Sequence, residues 1–174
     1  MDAAWGRGAG IKARGDKLHA RVGINGRMLD GAVAPLNIDE RVMAEQMLRA
    51  KPAIGYVLGD KNDDSHKLHT CVSDGGAQLV APRRYGSHRG MGHMRHEPGR
   101  LHRRDLLENT VSEFGRELHA LRGTIERVFG SLTSTSGLRT HLPAWVRTLP
   151  RVRLWVQAKL IVSEIRRPQR KPRE

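Results

Sequence analysis

The sequence is short of cysteine, of aromatic residues and of long apolar runs, and each shortage excludes a class of protein. Cys71 is the single cysteine, so the chain forms no internal disulfide and carries no sign of export. Residues 1–30 lack the apolar stretch of a signal peptide, and no run of about 18 apolar residues is present to span a membrane. Apolar residues make up 38% and aromatic residues 4% of the 174, which predicts a small core. We expect a soluble cytoplasmic protein with one domain.

What the sequence has in excess is positive charge, and this charge is unevenly placed. The formal net charge is +13, and residues 83–104 and 147–174 account for all of it. The first segment holds seven Arg against one Glu, and the second holds nine Lys or Arg against two Glu. Local excess of this size is typical of a protein that binds a polyanion, although a merely solubilising basic surface is the alternative. A membrane surface is disfavoured, because neither segment has the pattern of a basic amphipathic helix.

Hydrophobic periodicity in the first half of the chain predicts an α/β fold. Leu18, Ala20, Val22 and Ile24 alternate as in a half-buried strand, and the continuous apolar run at 53–58 is typical of a strand buried on both faces of a parallel sheet. The predicted order is a strand at 17–24, a hairpin turn at 25–27, a strand at 28–36, a helix capped by Asn37 with Glu40, a strand at 53–58, a helix at 64–74 capped by Asp64 or Ser65, and a strand at 77–82.

The second half is predicted to be helical, and the least patterned segments are predicted to be irregular. Apolar spacing predicts one helix over 113–134 and another over 143–167, which Pro150 kinks or restarts. We predict an irregular lead-in at 1–15, a basic mobile loop at 83–104 and a basic disordered tail at 168–174. A domain spanning 1–167 follows from this division.

Two carboxylates stand out by their predicted positions. Asp60 follows the buried strand, at the edge where α/β sheets place their sites, and Glu126 lies on the helix at 113–134, four residues after Arg122. If that helix packs across the sheet, both carboxylates face one place. Such a pair suits Mg²⁺, which uses one or two carboxylates and supports phosphodiester chemistry.

Plainer roles for these acidic residues stay open. Glu126 could instead form an ion pair within its helix, with Arg122 or Arg127. For Asp63 and Asp64 we favour a turn residue and a helix N-cap.

The histidines of the basic segment raise a different possibility, a zinc site. Their spacing matches no common zinc pattern, no cysteine accompanies them, and the neighbouring arginines repel a cation. Histidines that face phosphate are the better interpretation. The residues concerned are His88, His93, His96 and His102.

Several stretches together carry a resemblance to a known family. The most specific are "GYVLGDKNDDS" and "LHALRGTIERVFGSL", and they follow "RGDKLHARVGINGRMLDGAVAPLNIDERVMAEQML" in the family's order. The chain resembles DDE transposases of bacterial insertion sequences (insertion-sequence 4/5 superfamily) from about residue 5 to about residue 165. The resemblance implies an RNase-H-like catalytic domain, Mg²⁺ as cofactor, and cleavage and transfer of DNA strands during transposition.

The resemblance also implies roles for individual residues. The second catalytic Asp falls on Asp60, the catalytic Glu on Glu126 and the accompanying Arg on Arg122, with Asp60 and Glu126 as the metal ligands. The sequence departs from the family pattern at four positions. His119, Asp63 and Asp16 stand where the family usually has Tyr, and Thr133 stands where it usually has Lys. We predict DNA contacts at Arg83, Arg84, Arg89, Arg95, His119 and Arg127.

The family's first catalytic Asp lies upstream of "WGRG", and Asp2 is a poor substitute for it. We therefore expect an amino-terminally truncated domain without its first, central strand, which binds DNA but transfers strands inefficiently. The alternative is a non-catalytic DNA-binding remnant or an inhibitor of a full-length partner. The expected partners are DNA, as element ends and target, and a second copy or a full-length transposase, in association with the nucleoid.

Overall fold

The protein is described by a computed structural model over residues 3–8, 11–84, 98–107, 113–135 and 142–166. It divides into two compact units. The first unit contains Met1–Asn37 and Thr124–Glu174, and the second contains Ile38–Gly123. The predicted single domain over 1–167 stays a prediction. The predicted tail at 168–174 lies outside the described residues.

The first unit contains an antiparallel sheet of three strands, in the order β1 (Ala4–Gly8), β2 (Ile11–Val22) and β3 (Met28–Pro35). The predicted hairpin is confirmed, since β2 pairs antiparallel with β3. Its connection uses Gly26 at φ 76°, a left-handed conformation that glycine adopts without strain.

The irregular lead-in predicted for residues 1–15 is wrong. Residues 4–8 pair with 11–15 in antiparallel register. This stretch lacks apolar alternation because the strands are stabilised by their backbone ladder rather than by a buried face, and such a strand leaves little pattern in the sequence.

The core of the first unit lies between β3 and helix α6 (Leu149–Arg166). Five buried residues form this cluster, and the Arg153 side chain reaches the carbonyl oxygen of Val33 at 3.2 Å. The helix predicted to begin at 143 begins at Leu149, so Pro150 lies in the first turn, where its missing N–H costs no helical hydrogen bond. Neither predicted effect of Pro150 is seen, because residues 143–148 are not helical and therefore form no helix that Pro150 could kink or restart. The buried residues are Val33, Val146, Leu149, Val152 and Val156.

The second unit is built around a parallel pair of strands. Its elements are α1 (Glu40–Ala50), β4 (Gly55–Leu58), α2 (His66–Asp74), β5 (Ala77–Val80), α3 (Pro98–Leu107) and α4 (Glu113–Ala120), and helix α5 (Gly123–Thr135) begins at the unit's last residue. Strand β4 pairs in parallel with β5, with α2 as the crossover, which confirms the predicted parallel pairing. A core of buried apolar residues packs α1 and α2 against the strands. It contains Leu48, Leu68, Cys71, Val72, Leu79 and Ala81.

Strand β4 itself is less buried than predicted. Tyr56 is 40% exposed and the preceding Ile54 is 96% exposed, so the strand is not buried on both faces. Only Val57 and Leu58 are shielded within it, because α1 and α2 cover one side of a sheet that has just two strands in the described part of this unit.

Three further differences from prediction concern the helices. Helix α1 is capped by Asp39 rather than Asn37, since the Asp39 side chain accepts the Arg41 backbone N–H. Helix α3 begins at Pro98, inside the predicted loop at 83–104, and the rest of that loop from 85 to 97 lies outside the described residues. The loop prediction failed at α3 because the helix buries Arg103 beside Leu106, and an apolar pattern does not register an arginine on the buried face.

The third difference concerns the helix predicted over 113–134, which is two helices. Helix α4 ends at Ala120 and α5 begins at Gly123, with a turn between them in which Arg122 N–H donates to the His119 carbonyl at 3.0 Å. Gly123 disfavours a continuous helix, while the apolar spacing runs on through the break and so conceals it.

The mixed α/β class is thus confirmed. The RNase-H-like arrangement and the loss of its central strand stay predictions. Among the described helices, none is both long enough and apolar enough to cross a membrane.

Candidate functional site

The loop after β4 places Asp60 at the carboxyl end of the parallel pair. Gly59 N–H donates to the Val80 carbonyl at 3.0 Å, which extends the β4–β5 ladder by one residue. The chain then turns, with Asp63 N–H donating to the Asp60 carbonyl at 3.0 Å and Asn62 N–H donating to Asp60 Oδ1 at 2.6 Å. The half-buried Asp60 carboxylate therefore lies where the sequence predicted it.

Asp63 folds back over the start of this turn. Its Oδ2 accepts the Asp60 backbone N–H at 2.9 Å. Burial raises the pKa of the Asp63 carboxyl, and the negative charge of Asp60 acts in the same direction, against the Asp60 N–H and the positive charge of Arg122. The predicted turn role of Asp63 is confirmed, but the sequence did not reveal that its side chain contacts the Asp60 backbone.

Asp64 is a buried ion-pair centre and not a helix cap. The cap of α2 is Ser65, whose hydroxyl accepts the Leu68 N–H. Asp64 Oδ1 lies 3.2 Å from His69 Nε2 and 3.3 Å from Arg100 Nη2, while Asp64 Oδ2 accepts the Arg84 N–H at 3.0 Å. These contacts join the loop after β4, the exit of β5 and helix α3.

The electrostatics of Asp64 follow from these partners. Burial opposes the charged form, but the hydrogen bonds from His69 and Arg84 and the charges of Arg100 and Arg103 together lower the pKa of the Asp64 carboxyl to about 2. This centre was not predicted from the sequence, because its partners come from three separate segments, at positions 69, 84 and 100.

The second predicted catalytic region contains Arg122 and Glu126. Glu126 is exposed in the first turn of α5, where a negative charge is favourable beside the helix N-terminus. Arg122 lies in the turn before that helix rather than inside it. Asp60 and Arg122 belong to the second unit and Glu126 belongs to the first. The convergence of Asp60 and Glu126 stays a prediction.

The predicted DNA-contacting residues are distributed over several elements. Arg83 and Arg84 follow β5, with Arg84 exposed, while Arg89 and Arg95 lie outside the described residues. Arg127 Nη2 donates to Thr124 Oγ1 at 2.8 Å within α5.

His119 ties helix α4 to the Asp60 loop. Its Nε2 lies 3.3 Å from the Gly59 carbonyl oxygen, a distance at which an Nε2–H donates to that carbonyl. His119 also lines a cavity of about 330 Å³ together with Pro82, Leu107, Arg116 and Ala120. His119 thus contacts both this cavity and Gly59, the residue that precedes Asp60.

The donor chemistry at this end of the strands fits magnesium. Among the described residues, no group of three or more His, Cys, Asp or Glu side chains could hold a metal ion, so an all-protein cage of the zinc type is not formed there. Mg²⁺ needs no such cage, because one or two carboxylates complete its shell with water and substrate phosphate oxygens. The half-buried carboxylate of Asp60 is a ligand of that kind. The histidine-rich segment at 88–96 lies outside the described residues.

The comparison with protein families agrees with this geometry. The model of the transposase DDE domain matches residues 2–163, nearly the whole chain. The chain belongs to the transposase DDE domain family. No curated protein and no solved structure matches it.

Proposed function

We propose that this chain is the DNA-binding catalytic domain of an insertion-sequence transposase, with Asp60 and Glu126 as carboxylate ligands of Mg²⁺ and Arg122 beside them. The family match over residues 2–163 carries the proposal. The position of Asp60 at the carboxyl end of the parallel pair β4–β5 supports it, because open α/β sheets place their sites at that edge.

Mg²⁺, when bound, would polarise a phosphate oxygen and activate the attacking hydroxyl. The chain's own residues have separate tasks. Asp60 holds a negative charge at the strand end for the cation, and basic residues such as Arg83 and Arg84 contact the DNA backbone. We propose phosphate contacts also for Arg89, Arg95, His119 and Arg127.

A supercoiled plasmid tests the catalytic part without knowledge of the element's ends. The full chain is incubated with the plasmid and Mg²⁺ or Mn²⁺, and nicked and linear products are measured. We expect metal-dependent nicking that is slow for this chain, and its loss in Asp60→Asn and in Glu126→Gln. Asp74→Asn is the matched control, since Asp74 is an exposed carboxylate at the end of α2. Nicking that persists in both site variants contradicts the proposed roles.

The second candidate is a DNA-binding domain without catalysis, which could inhibit a full-length transposase by pairing with it. The concentration of charge in two basic segments of a +13 chain favours DNA binding independently of the carboxylates. For this candidate we expect the wild-type chain to show no metal-dependent nicking. We also expect Glu126→Gln to leave the affinity for DNA unchanged.

A further inference from the structure

A contact between two acidic residues in the loop after β4 carries a further inference. Asp63 Oδ2 accepts the backbone N–H of Asp60 at 2.9 Å. The same side chain occupies the space beside Gly59. A Cβ added to Gly59 would lie 2.7 Å from Asp63 Oδ2 and 2.8 Å from Asp63 Cβ, closer than real Cβ atoms approach. The side chain of Asp63 is therefore both hydrogen-bonded to Asp60 and packed on the residue before it.

The neighbouring contacts fix the strand end, and two hydrogen bonds set the direction of Asp60: Asn62 N–H donates to Asp60 Oδ1 at 2.6 Å, and Asp63 accepts the Asp60 N–H. Gly59 N–H is bonded to the Val80 carbonyl at 3.0 Å, and the Gly59 carbonyl lies 3.3 Å from His119 Nε2. The next backbone group along the chain is the Asp60 N–H, and its acceptor is Asp63. This bond joins the first and last residues of the turn at 60–63. A change in the backbone dihedral angles of Asp60 would therefore break it.

We propose that Asp63 is a positioning residue for Asp60: as acceptor of the Asp60 N–H, and by filling the space at Gly59, it fixes the Asp60 backbone, so that the carboxylate is oriented for the cation together with the bond from the Asn62 N–H to Oδ1. This inference rests on the proposed function, in which that carboxylate binds the divalent cation. Asp63 acts through the hydrogen bond and not through its charge. An asparagine, whose side-chain oxygen accepts the same N–H, is therefore sufficient.

The first measurement is Mn²⁺ binding by the full chain, followed by isothermal titration calorimetry. In Asp63→Ala we expect affinity for Mn²⁺ to fall by at least about tenfold, the scale on which residues that orient a metal ligand act. In Asp63→Asn we expect affinity within about threefold of the wild type, since the acceptor is kept. Circular dichroism checks that both variants are folded.

Gly59→Ala approaches the same contact from the other side. This variant keeps the Asp63 carboxylate but fills the space into which that carboxylate packs. We therefore expect Gly59→Ala to weaken Mn²⁺ binding, as Asp63→Ala does. Gly130→Ala is the matched control, because a Cβ at Gly130 meets no atom within 4 Å.

The second measurement does not depend on metal. Amide hydrogen exchange, followed by NMR, reports whether the Asp60 N–H is bonded. We expect protection of this amide in the wild type and in Asp63→Asn, and faster exchange in Asp63→Ala.

The outcomes separate the inference from the proposed function. Wild-type Mn²⁺ affinity in Asp63→Ala, or equal losses in Asp63→Asn and Asp63→Ala, would overturn the positioning role, and the second result would make Asp63 a charge that acts on the cation directly. A wild-type chain that binds no Mn²⁺ contradicts the proposed metal site. In that case, exchange of the Asp60 amide still decides whether Asp63 orients it: loss of protection in Asp63→Ala supports the inference, and unchanged protection overturns it.

Discussion

At the scale of single residues, Asp64 and Asp63 show how differently two adjacent carboxylates are used. Asp64 is almost fully buried among cationic partners, and its pKa is lowered to about 2. Asp63 faces another carboxylate and a backbone N–H, and burial raises its pKa. The sequence "NDDS" contains both, yet only their tertiary surroundings distinguish them.

Replacement of Asp64 is expected to lower the free energy of unfolding more than replacement of an exposed carboxylate does. Asp64→Ala removes a buried negative charge that lies beside Arg100 and Arg103, and removal of one partner of a buried ion pair costs about 3 to 5 kcal/mol of the free energy of unfolding. Chemical denaturation of the full chain measures this. Asp74→Ala, at an exposed position, is the control and is expected to change the free energy of unfolding by less than about 0.5 kcal/mol. Equal losses in the two variants would contradict the role of Asp64.

Asp64 also predicts how stability depends on pH. Because its folded pKa of about 2 lies below the ordinary value of 3.8, its contribution to stability is present above pH 4 and is lost as the pH falls toward 2. The melting temperature, measured from pH 6 to pH 2, should fall less steeply in Asp64→Asn than in the wild type. The pKa of Asp39 is also lowered to about 2, by its hydrogen bonds with Arg41. The variant Asp39→Asn therefore measures how much of the pH dependence of stability comes from this exposed ion pair. An unchanged slope in Asp64→Asn would refute the assignment.

At the scale of elements, α3 and α4 depend on a close approach at one glycine. Gly115 on α4 is buried, and a Cβ there would overlap the carbonyl group of Leu106 on α3. A larger residue in place of Gly115 would therefore force α3 and α4 apart.

Gly115→Ala and Gly130→Ala are expected to change stability in opposite directions. The first should destabilise the protein by about 1 to 3 kcal/mol, as overpacking does. The second should stabilise it by about 0.5 to 1 kcal/mol, because alanine is the better helix former and the position is open. Thermal unfolding of both variants measures the difference, and a stable Gly115→Ala protein would contradict the packing described for α3 and α4.

The success of sequence-based prediction also varies by element. The hairpin of β2 and β3 and helices α1 and α2 were predictable because their apolar residues follow the period of the element, whereas β4 was predictable from its continuous apolar run. Strand β1 was missed because it is stabilised by backbone pairing with β2. Helix α3 was missed because an arginine, Arg103, occupies its buried face. At the site, the position of Asp60 was predictable from the strand before it, but the contact of Asp63 with Gly59 was not, since it depends on side-chain packing across a turn.

At the scale of the whole molecule, charge is the dominant property. The net charge of +13 predicts DNA affinity that falls steeply with salt, because phosphate contacts release counterions. Fluorescence anisotropy with a duplex of arbitrary sequence, from 50 to 300 mM NaCl, should give a linear dependence of log K on log salt concentration. Arg84→Ala should reduce the slope by about 1, as expected for one phosphate contact. Arg49→Ala is a control at an exposed arginine paired with Glu45 on α1, and an equal effect there would contradict a specific role for Arg84.

The two bonds that Asp64 makes to Arg84 and Arg100 have a consequence for how this protein can change. Residues 84 and 100 lie on either side of positions 85–97, and both are bonded to the Asp64 carboxylate. The two segments that flank these thirteen positions are therefore held together by one side chain. Since we propose that Arg89 and Arg95 in this stretch contact DNA, we expect substitutions there to change DNA preference while the bonds of Asp64 keep the flanking segments in place.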